Sequence, residues 1–334
     1  MSIKIINPAS SGSTSTASYS PNLIINGGFD IWQRGVSGSV PATSEAYTAD
    51  RWLINNTSDA SINYAQVGGI GDGFPYAWYG GYNFAAGGTT GNFELWQILD
   101  SATSYRLVDV NASLSFVAYA SGTVTQIGVQ FLYNAGTEAL PTSTIGSEQF
   151  FTVNAVTNTL CQLNGQAIAN PFSANGCLGV RIRPTAVSSG NIYDNGNGIL
   201  VSGFMLTNSN TALNYQDSTS AQTIAACQRF FEKSYNITVN PGSITYSGEH
   251  AMAIPGGEPG ALTSVFKASK RVAPTTTIYN PETGATGSAA GRTGTGNDIA
   301  VAASDIGVSA FSVLTSAVVT DYYVYHWTAD SEIY

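Results

Sequence analysis

The residues best suited to recognising a ligand lie in FPYAWYGGYNF (74–84), where Phe74, Tyr76, Trp78, Tyr79, Tyr82 and Phe84 are gathered within eleven positions. A sugar site needs aromatic rings to stack on the apolar face of a pyranose, and a few amides or carboxylates to bond its hydroxyls. Asn83 and Asp72 are the polar groups at hand. On a strand, Tyr76 and Trp78 share one face with Tyr82 and Phe84 unless a bulge at Gly80-Gly81 changes the parity, and Tyr79 points the other way. The competing use of such a cluster is in core and cross-strand pairs. Tyr76, Trp78, Tyr79 and Tyr82 are the candidate carbohydrate contacts.

Chemistry of other kinds finds less support. The two histidines, His250 and His326, lie far apart in sequence, and no GxSxG elbow, P-loop or HExxH is present. The 21 Asp and Glu residues show no spacing that nominates a catalytic pair, so the expectation is a protein that is not an enzyme and needs no cofactor. In VYHWTADSEI (324–333), alternation puts His326, Thr328, Asp330 and Glu332 on one face, and Tyr325, Trp327, Ala329 and Ile333 on the other. Three copies around a threefold axis would gather that polar face into a ring; the simpler reading is a solvated face. Cys161 and Cys177 could pair, leaving Cys227 odd, and neither zinc spacing nor CxxC occurs. Three reduced, buried thiols are expected, which suits folding in a cytoplasm.

The elements that must position these residues are β-type. Short Val, Ile, Thr, Tyr and Phe runs between Gly and Asn turns describe an all-β protein, and 334 residues leave room for two modules. Only 10% of residues are charged, against roughly 25% in ordinary domains. A formal net charge of −9 with 12 scattered Lys and Arg argues against nucleic acid and against anionic membrane surfaces. No apolar run approaches the ~18 residues of a membrane-spanning helix, and the start, polar by Asn7, shows no secretion signal.

In chain order, residues 1–21 form a Ser, Thr and Ala arm without periodicity, either a disordered leader or an attachment segment. Leu23, Ile25, Phe29 and Ile31 predict an opening strand bent at Gly27-Gly28. Strand-like runs follow at 47–54, 61–67, 76–84, 93–99, 112–119, 126–133, 149–153, 178–183 and 199–206, and their spacing predicts a jelly-roll β-sandwich over 22–216. Residues 219–235 (TSAQTIAACQRFFEKSY) carry a helix signal, with Thr219 and Ser220 as caps and Ala221, Ile224, Ala225, Cys227 and Phe231 on one side. Phe230 lies opposite, as in a helix wedged between modules, so Phe230 and Phe231 are the expected inter-domain contacts of a linker over 217–235. A smaller C-terminal β-sandwich is expected over 236–334, with strands at 236–239, 250–254, 262–268, 275–279, 308–314 and 318–328. Residues 281–297 show no apolar pattern and predict an exposed, mobile loop.

Taken in order, NLIINGGFDIWQRG (22–35), YTADRW (47–52), CQRFFEKSY (227–235), APTTTIYNPETGATG (273–287) and HWTADSEI (326–333) resemble a family of tailed-phage and prophage virion proteins, described as tail-fibre or other virion structural proteins. The N-terminal half of that family is similar to the jelly-roll of carbohydrate-binding modules, whose opening strand carries an Asn-Gly-x-Phe pattern like Asn26, Gly28 and Phe29. The resemblance implies a virion-surface protein of tail, head fibre or decoration type, a homotrimer as fibres commonly are, joined to other virion proteins through the arm, with a face for host surface glycans. It implies no enzymatic activity. The family also admits a structural calcium in the first jelly-roll, but no EF-hand spacing marks ligands for one here. The alternative is a soluble lectin-like glycan-binding module; a glycan-degrading enzyme stands behind both.

Overall fold

Alternation of apolar and polar residues, broken every ten or so positions by Gly, Asn or Ser, sets the chain into antiparallel strands throughout. The computed structural model describes residues 21–69, 73–83, 90–169, 175–254, 261–292, 298–315 and 321–334. The arm before Pro21, Asp72 and Phe84 lie outside the described residues.

The first half contains β1 (Ser37–Val40), β2 (Ser44–Tyr47), β3 (Leu53–Asn56), β4 (Ser61–Gly68), β5 (Tyr76–Asn83), β6 (Phe93–Leu99), a short α1 (Ser101–Ser104), β7 (Val110–Ser121), β8 (Val124–Asn134), β9 (Ser143–Thr152), β10 (Thr159–Ile168), β11 (Cys177–Val187) and β12 (Gly198–Thr207). They form two six-stranded sheets, ordered β1-β4-β5-β12-β7-β10 and β2-β3-β6-β11-β8-β9. The chain crosses repeatedly from one sheet to the other, which makes this a jelly-roll sandwich. The facing sides bury one apolar core, in which Phe116 stacks on Phe204 at 4.6 Å and Trp52 packs against Phe29 and Phe204 at 4.9 and 4.6 Å. Cys161 belongs to one sheet and Cys177 to the other; both, with Cys227, are free and buried.

Residues 22–35 are not the expected strand. Asn26 and Phe29 take positive φ (both 58°), and the backbone of this stretch is held largely by side chains in place of a ladder. The Gln97 amide accepts from Ile25 N (2.7 Å) and donates to Ile25 O (2.8 Å), the Asn26 carboxamide accepts from Ile31 N (3.0 Å), and Asp50 accepts from Gln33 N (2.9 Å).

The helix α2 covers only Ser220–Gln228, with a capping box in which Thr219 and Gln222 satisfy each other's backbone N–H. The second half of the expected helix is β13 (Phe231–Lys233), because a strand edge is available to it: Phe231, Glu232 and Lys233 pair with Asp330, Ala329 and Thr328. Alternation then sends Glu232 inward to a fully buried partner, Lys270 (2.5 Å), while Phe231 and Lys233 face outward from the module.

The remaining strands are β14 (His250–Ile254), β15 (Ala261–Val265), β16 (Thr275–Tyr279), β17 (Ser288–Gly291), β18 (Ile299–Ala300), β19 (Ala302–Ser304), β20 (Ala310–Leu314) and β21 (Asp321–Asp330). The ten-residue β21 is the spine of this half: β13 and β14 pair with it, as do β16 and β17. A three-stranded sheet, β15-β20-β19, closes over a small core in which Trp327 meets Phe266 and Phe311 at 5.6 and 5.4 Å, so this half is a second, smaller sandwich. Residues 236–239 are a turn, closed by Val239 N donating to Asn236 O. The stretch read as a loop over 281–297 contains β17, whose Ala289 and Ala290 are buried; two alanines give no apolar pattern in sequence, yet they fill the space against β21. Residues 293–297 lie outside the described residues.

Candidate functional site

Strand β5 runs without a register shift against β4, from Gly68 opposite Tyr76 to Ser61 opposite Asn83, so no bulge forms at Gly80-Gly81. The parity expected of an unbroken strand therefore holds, and it turns Trp78 and Tyr82 into the core, at 0% and 1% exposure. Trp78 donates its indole N–H to Thr48 Oγ1 (3.0 Å), and Tyr82 donates its hydroxyl to Asn92 Oδ1 (2.8 Å) while accepting from Phe93 N. Burial pushes the Tyr82 hydroxyl well above the usual tyrosine range. Neither ring offers a face to a ligand, which corrects the expectation for these two positions. Phe74 is spent in packing too, edge-on to Tyr215 at 5.4 Å and over Gly203, whose φ of +67° and crowding by that ring leave no room for a side chain.

Tyr79 lies on the solvent face of the same sheet and Tyr76, 41% exposed, at the start of the strand. Pairing carries a row outward from Tyr79. Ala65 of β4 is its partner on one side, Leu200 of β12 on the other, and Leu200 pairs in turn with Tyr119 of β7. The neighbours of Leu200 and Tyr119 along their strands (Ile199, Val201, Ala118, Ala120) are all in the core, so these two side chains face outward with Tyr79. All three are half-buried. The Tyr79 ring lies across Gly81, where a Cβ would collide with its hydroxyl. In the next row outward, Asn63 of β4 pairs with Gly81, and its amide accepts from the exposed Asn83 amide (3.2 Å). Two tyrosine rings two strands apart, about 9.6 Å, with an apolar leucine between them and amides alongside, make a shallow platform. Tyr119 and Leu200 were not singled out in sequence. The alternation over 112–119 already sets Tyr119 opposite Phe116 and Ala118, but the row across three strands needs the register.

The second module docks on part of the solvent face of the other sheet. Ile333 inserts among Tyr47, Leu53, Trp96, Ile98 and Leu132, and Tyr47 donates its hydroxyl to Ile333 O (2.6 Å). Around this apolar patch lie five of the chain's twelve basic residues. Arg51 pairs with the fully buried Glu332 carboxylate and donates to Ile98 O, with its guanidinium carbon 3.5 Å from the Phe230 ring centroid. Arg34 bonds Asp330 (3.1 Å) and Glu332 (3.5 Å) and lies 3.7 Å over Phe231. Arg229 pairs with Asp100, and Arg271 with Glu138. Lys233 places its three N–H donors on the carbonyls of Gln33, Ile237 and Val239. The side chains of Phe230 and Phe231 are thus platforms for cations of the first module.

The histidines are structural. His326 is fully buried, stacked on Tyr235 (3.8 Å), with Nδ1 facing Ser234 Oγ and Nε2 facing Thr245 O, both at 2.9 Å. The carbonyl fixes the proton on Nε2 of a neutral ring, and burial lowers the pKa of both His326 and His250. A polar ring containing His326 is therefore corrected: that side chain does not reach solvent. Among the described residues, no three His, Cys, Asp or Glu side chains form a group able to hold a metal, and no helix is long and apolar enough to cross a membrane.

No family model and no curated protein matches the chain. Solved structures similar to it include a candidate sugar-binding protein from Bacteroides thetaiotaomicron, 16% identical over 57% of this chain and all of that one, with a TM-score of 0.38. The C-terminal family 22 carbohydrate-binding module of a Clostridium thermocellum protein is 11% identical over 50% of this chain and 91% of its own, with a TM-score of 0.33. A family 11 carbohydrate-binding module of the same organism is 9% identical over 52% and 97%, with a TM-score of 0.31.

Proposed function

We propose that the chain is a non-catalytic, lectin-like glycan-binding protein, and that the solvent face of the β5-bearing sheet is its contact surface. The observation that carries this is the row Tyr79–Leu200–Tyr119, which holds two rings on a rigid sheet with Asn63 and Asn83 beside them. Stacking supplies affinity at low entropic cost because the rings are already half-packed, and the amides supply direction. The test is a glycan array followed by calorimetry on the hits. Tyr79→Ala with Tyr119→Ala should weaken binding by at least ~10-fold, the loss of roughly one ring's stacking energy. An unchanged affinity in the double variant, or no hit on the array, rejects the proposal.

A second reading, an architectural role on a phage particle, has its own support. Four of the stretches that resemble virion proteins (22–35, 47–52, 227–235 and 326–333) supply Gln33, Arg34, Asp50, Arg51, Phe230, Phe231, Asp330 and Glu332, all at the junction of the two modules. What those stretches build is a fixed angle between sandwiches, the property a projecting particle component needs. Imaging of purified particles with a label on this chain tests it; a chain absent from particles, or monomeric where a trimer is required, rejects it.

A further inference from the structure

A cavity of about 550 Å³ opens on the outer face of the second module, between β16, β21 and Arg34 of the first module. Its floor follows from register. Thr277 pairs with Thr328, and Thr275 pairs with Asp330; Ile278, Trp327 and Ala329 go to the core, so the hydroxyls and the carboxylate face out. Among the described residues the Thr275 and Thr277 hydroxyls make no hydrogen bond, and Thr328 Oγ1 reaches only Tyr279 OH, at 3.4 Å. Two rings line the same space. Tyr279 meets the Tyr235 ring edge-on at 6.1 Å, and Tyr334 is 54% exposed with its hydroxyl on Asp330 (3.0 Å).

Charge selects the ligand. Arg34 is already answered by Asp330 and Glu332, Glu332 is shared with Arg51, and the three N–H donors of nearby Lys233 end on carbonyls. Among the described residues, an anion entering here meets no spare cation and faces the Asp330 carboxylate, so phosphate, sulfate and acidic sugars are disfavoured. Unengaged hydroxyls, a carboxylate able to accept and tyrosine faces match a neutral polyhydroxylated ring, and the volume lies within the range of small-ligand sites.

We propose that this junction cavity is a second saccharide site, taking one or two neutral pyranose units. It shares the ligand class of the sheet-face reading but none of its residues. Because Arg34 comes from one module and the floor from the other, occupancy also ties the two sandwiches together.

The full chain is titrated with cellobiose, N-acetyllactosamine and xylobiose as neutral probes, and with glucuronic acid as the acidic control, by saturation-transfer NMR and calorimetry. Binding of at least one neutral probe is expected in the Tyr79→Ala/Tyr119→Ala protein. In that background, Thr277→Val with Thr328→Val should weaken binding by at least ~10-fold, through loss of hydroxyl hydrogen bonds at nearly constant volume. Tyr334→Ala, at an exposed position, gives an independent variant with the same expected direction. The proposal is overturned if the valine pair and Tyr334→Ala bind every probe as their parent does, if glucuronic acid binds better than the neutral sugars, or if no probe binds the Tyr79→Ala/Tyr119→Ala protein. In the last case, binding by the unmodified chain leaves the sheet-face reading standing alone. Loss of binding only in the junction variants would instead leave the cavity standing without the sheet face.

Discussion

Arg51 and Phe230 lie face to face across the two sandwiches, the guanidinium carbon 3.5 Å from the ring centroid, with Glu332 bonded to the guanidinium. Each partner comes from a different stretch of chain, and each is buried. A desolvated ion pair costs as much as it gains unless its remaining donors are met, and here Arg51 donates to Ile98 O and the ring covers one face, but its Nε is buried without a partner. The pair therefore fixes how the modules meet more than it adds to the stability of either.

Removing one charge should accordingly do more harm than removing both. Glu332→Gln leaves Arg51 buried without its counter-charge and is expected to cost about 3–5 kcal/mol, whereas Arg51→Met combined with Glu332→Leu should cost much less. Urea unfolding of the three proteins checks this. Equal losses in the single and double variants would show that the pair contributes through net stability after all.

Asp50 sets a pH dependence at the same junction. Burial raises its pKa to about 6, although Arg34 and two bonds from Gln33 act in the opposite direction. The folded state thus holds this proton more tightly than the unfolded chain, so ionised Asp50 costs stability above pH 6, about 3 kcal/mol, and the cost is relieved as pH falls from 6 toward 3.8. His326 and His250 act oppositely: their lowered pKa values give stability that is present above 6.5 and lost as pH falls through and below that value. The two effects offset between pH 7 and 5. Asp50→Asn removes the first, so the melting temperature of the variant should fall more steeply over that range than that of the parent. Parallel melting curves would refute the assignment.

On β5, one position decides between stability and recognition. Trp78→Ala empties the core and should cost about 3–5 kcal/mol. Tyr79→Ala, next in sequence but on the open face, should stay within about 1 kcal/mol and weaken glycan binding at the sheet face instead. Thermal melts alongside binding measurements separate the two; a destabilised Tyr79→Ala protein would make that ring part of the packing.

The strands were readable where period-two alternation met Gly and Asn turns, as in β5, β6, β8 and β12, because local pattern and tertiary pairing agree there. Reading failed where the partner is remote. Nothing within 219–235 tells that its last third will find the edge of β21, some hundred residues on, and become β13. The Ser288–Gly291 strand is invisible because alanine carries little hydrophobic signal, although Ala289 and Ala290 are fully buried. The candidate surface was half legible: Tyr79 follows from parity alone, while Tyr119 and Leu200 join it only through strand order β5-β12-β7. The junction cavity could not be read at all, since it needs Arg34 from one end of the chain beside Thr328 from the other.

The same remoteness explains the misread opening segment and yields a test. Leu23, Ile25, Phe29 and Ile31 alternate as a strand would, but the place of a partner strand at Ile25 is taken by the Gln97 amide, buried in β6, which bonds both Ile25 N and Ile25 O. Gln97→Leu keeps the volume and removes both bonds, leaving a backbone donor and acceptor unsatisfied at about 1–3 kcal/mol each. Because Gln33 and Arg34 lie at the end of this segment, the loss should travel to the junction: faster amide exchange at Ile25, then easier proteolysis between the sandwiches. Unaltered exchange at Ile25 would mean that water or a shifted strand replaces the amide, and the segment would then hold its shape without Gln97.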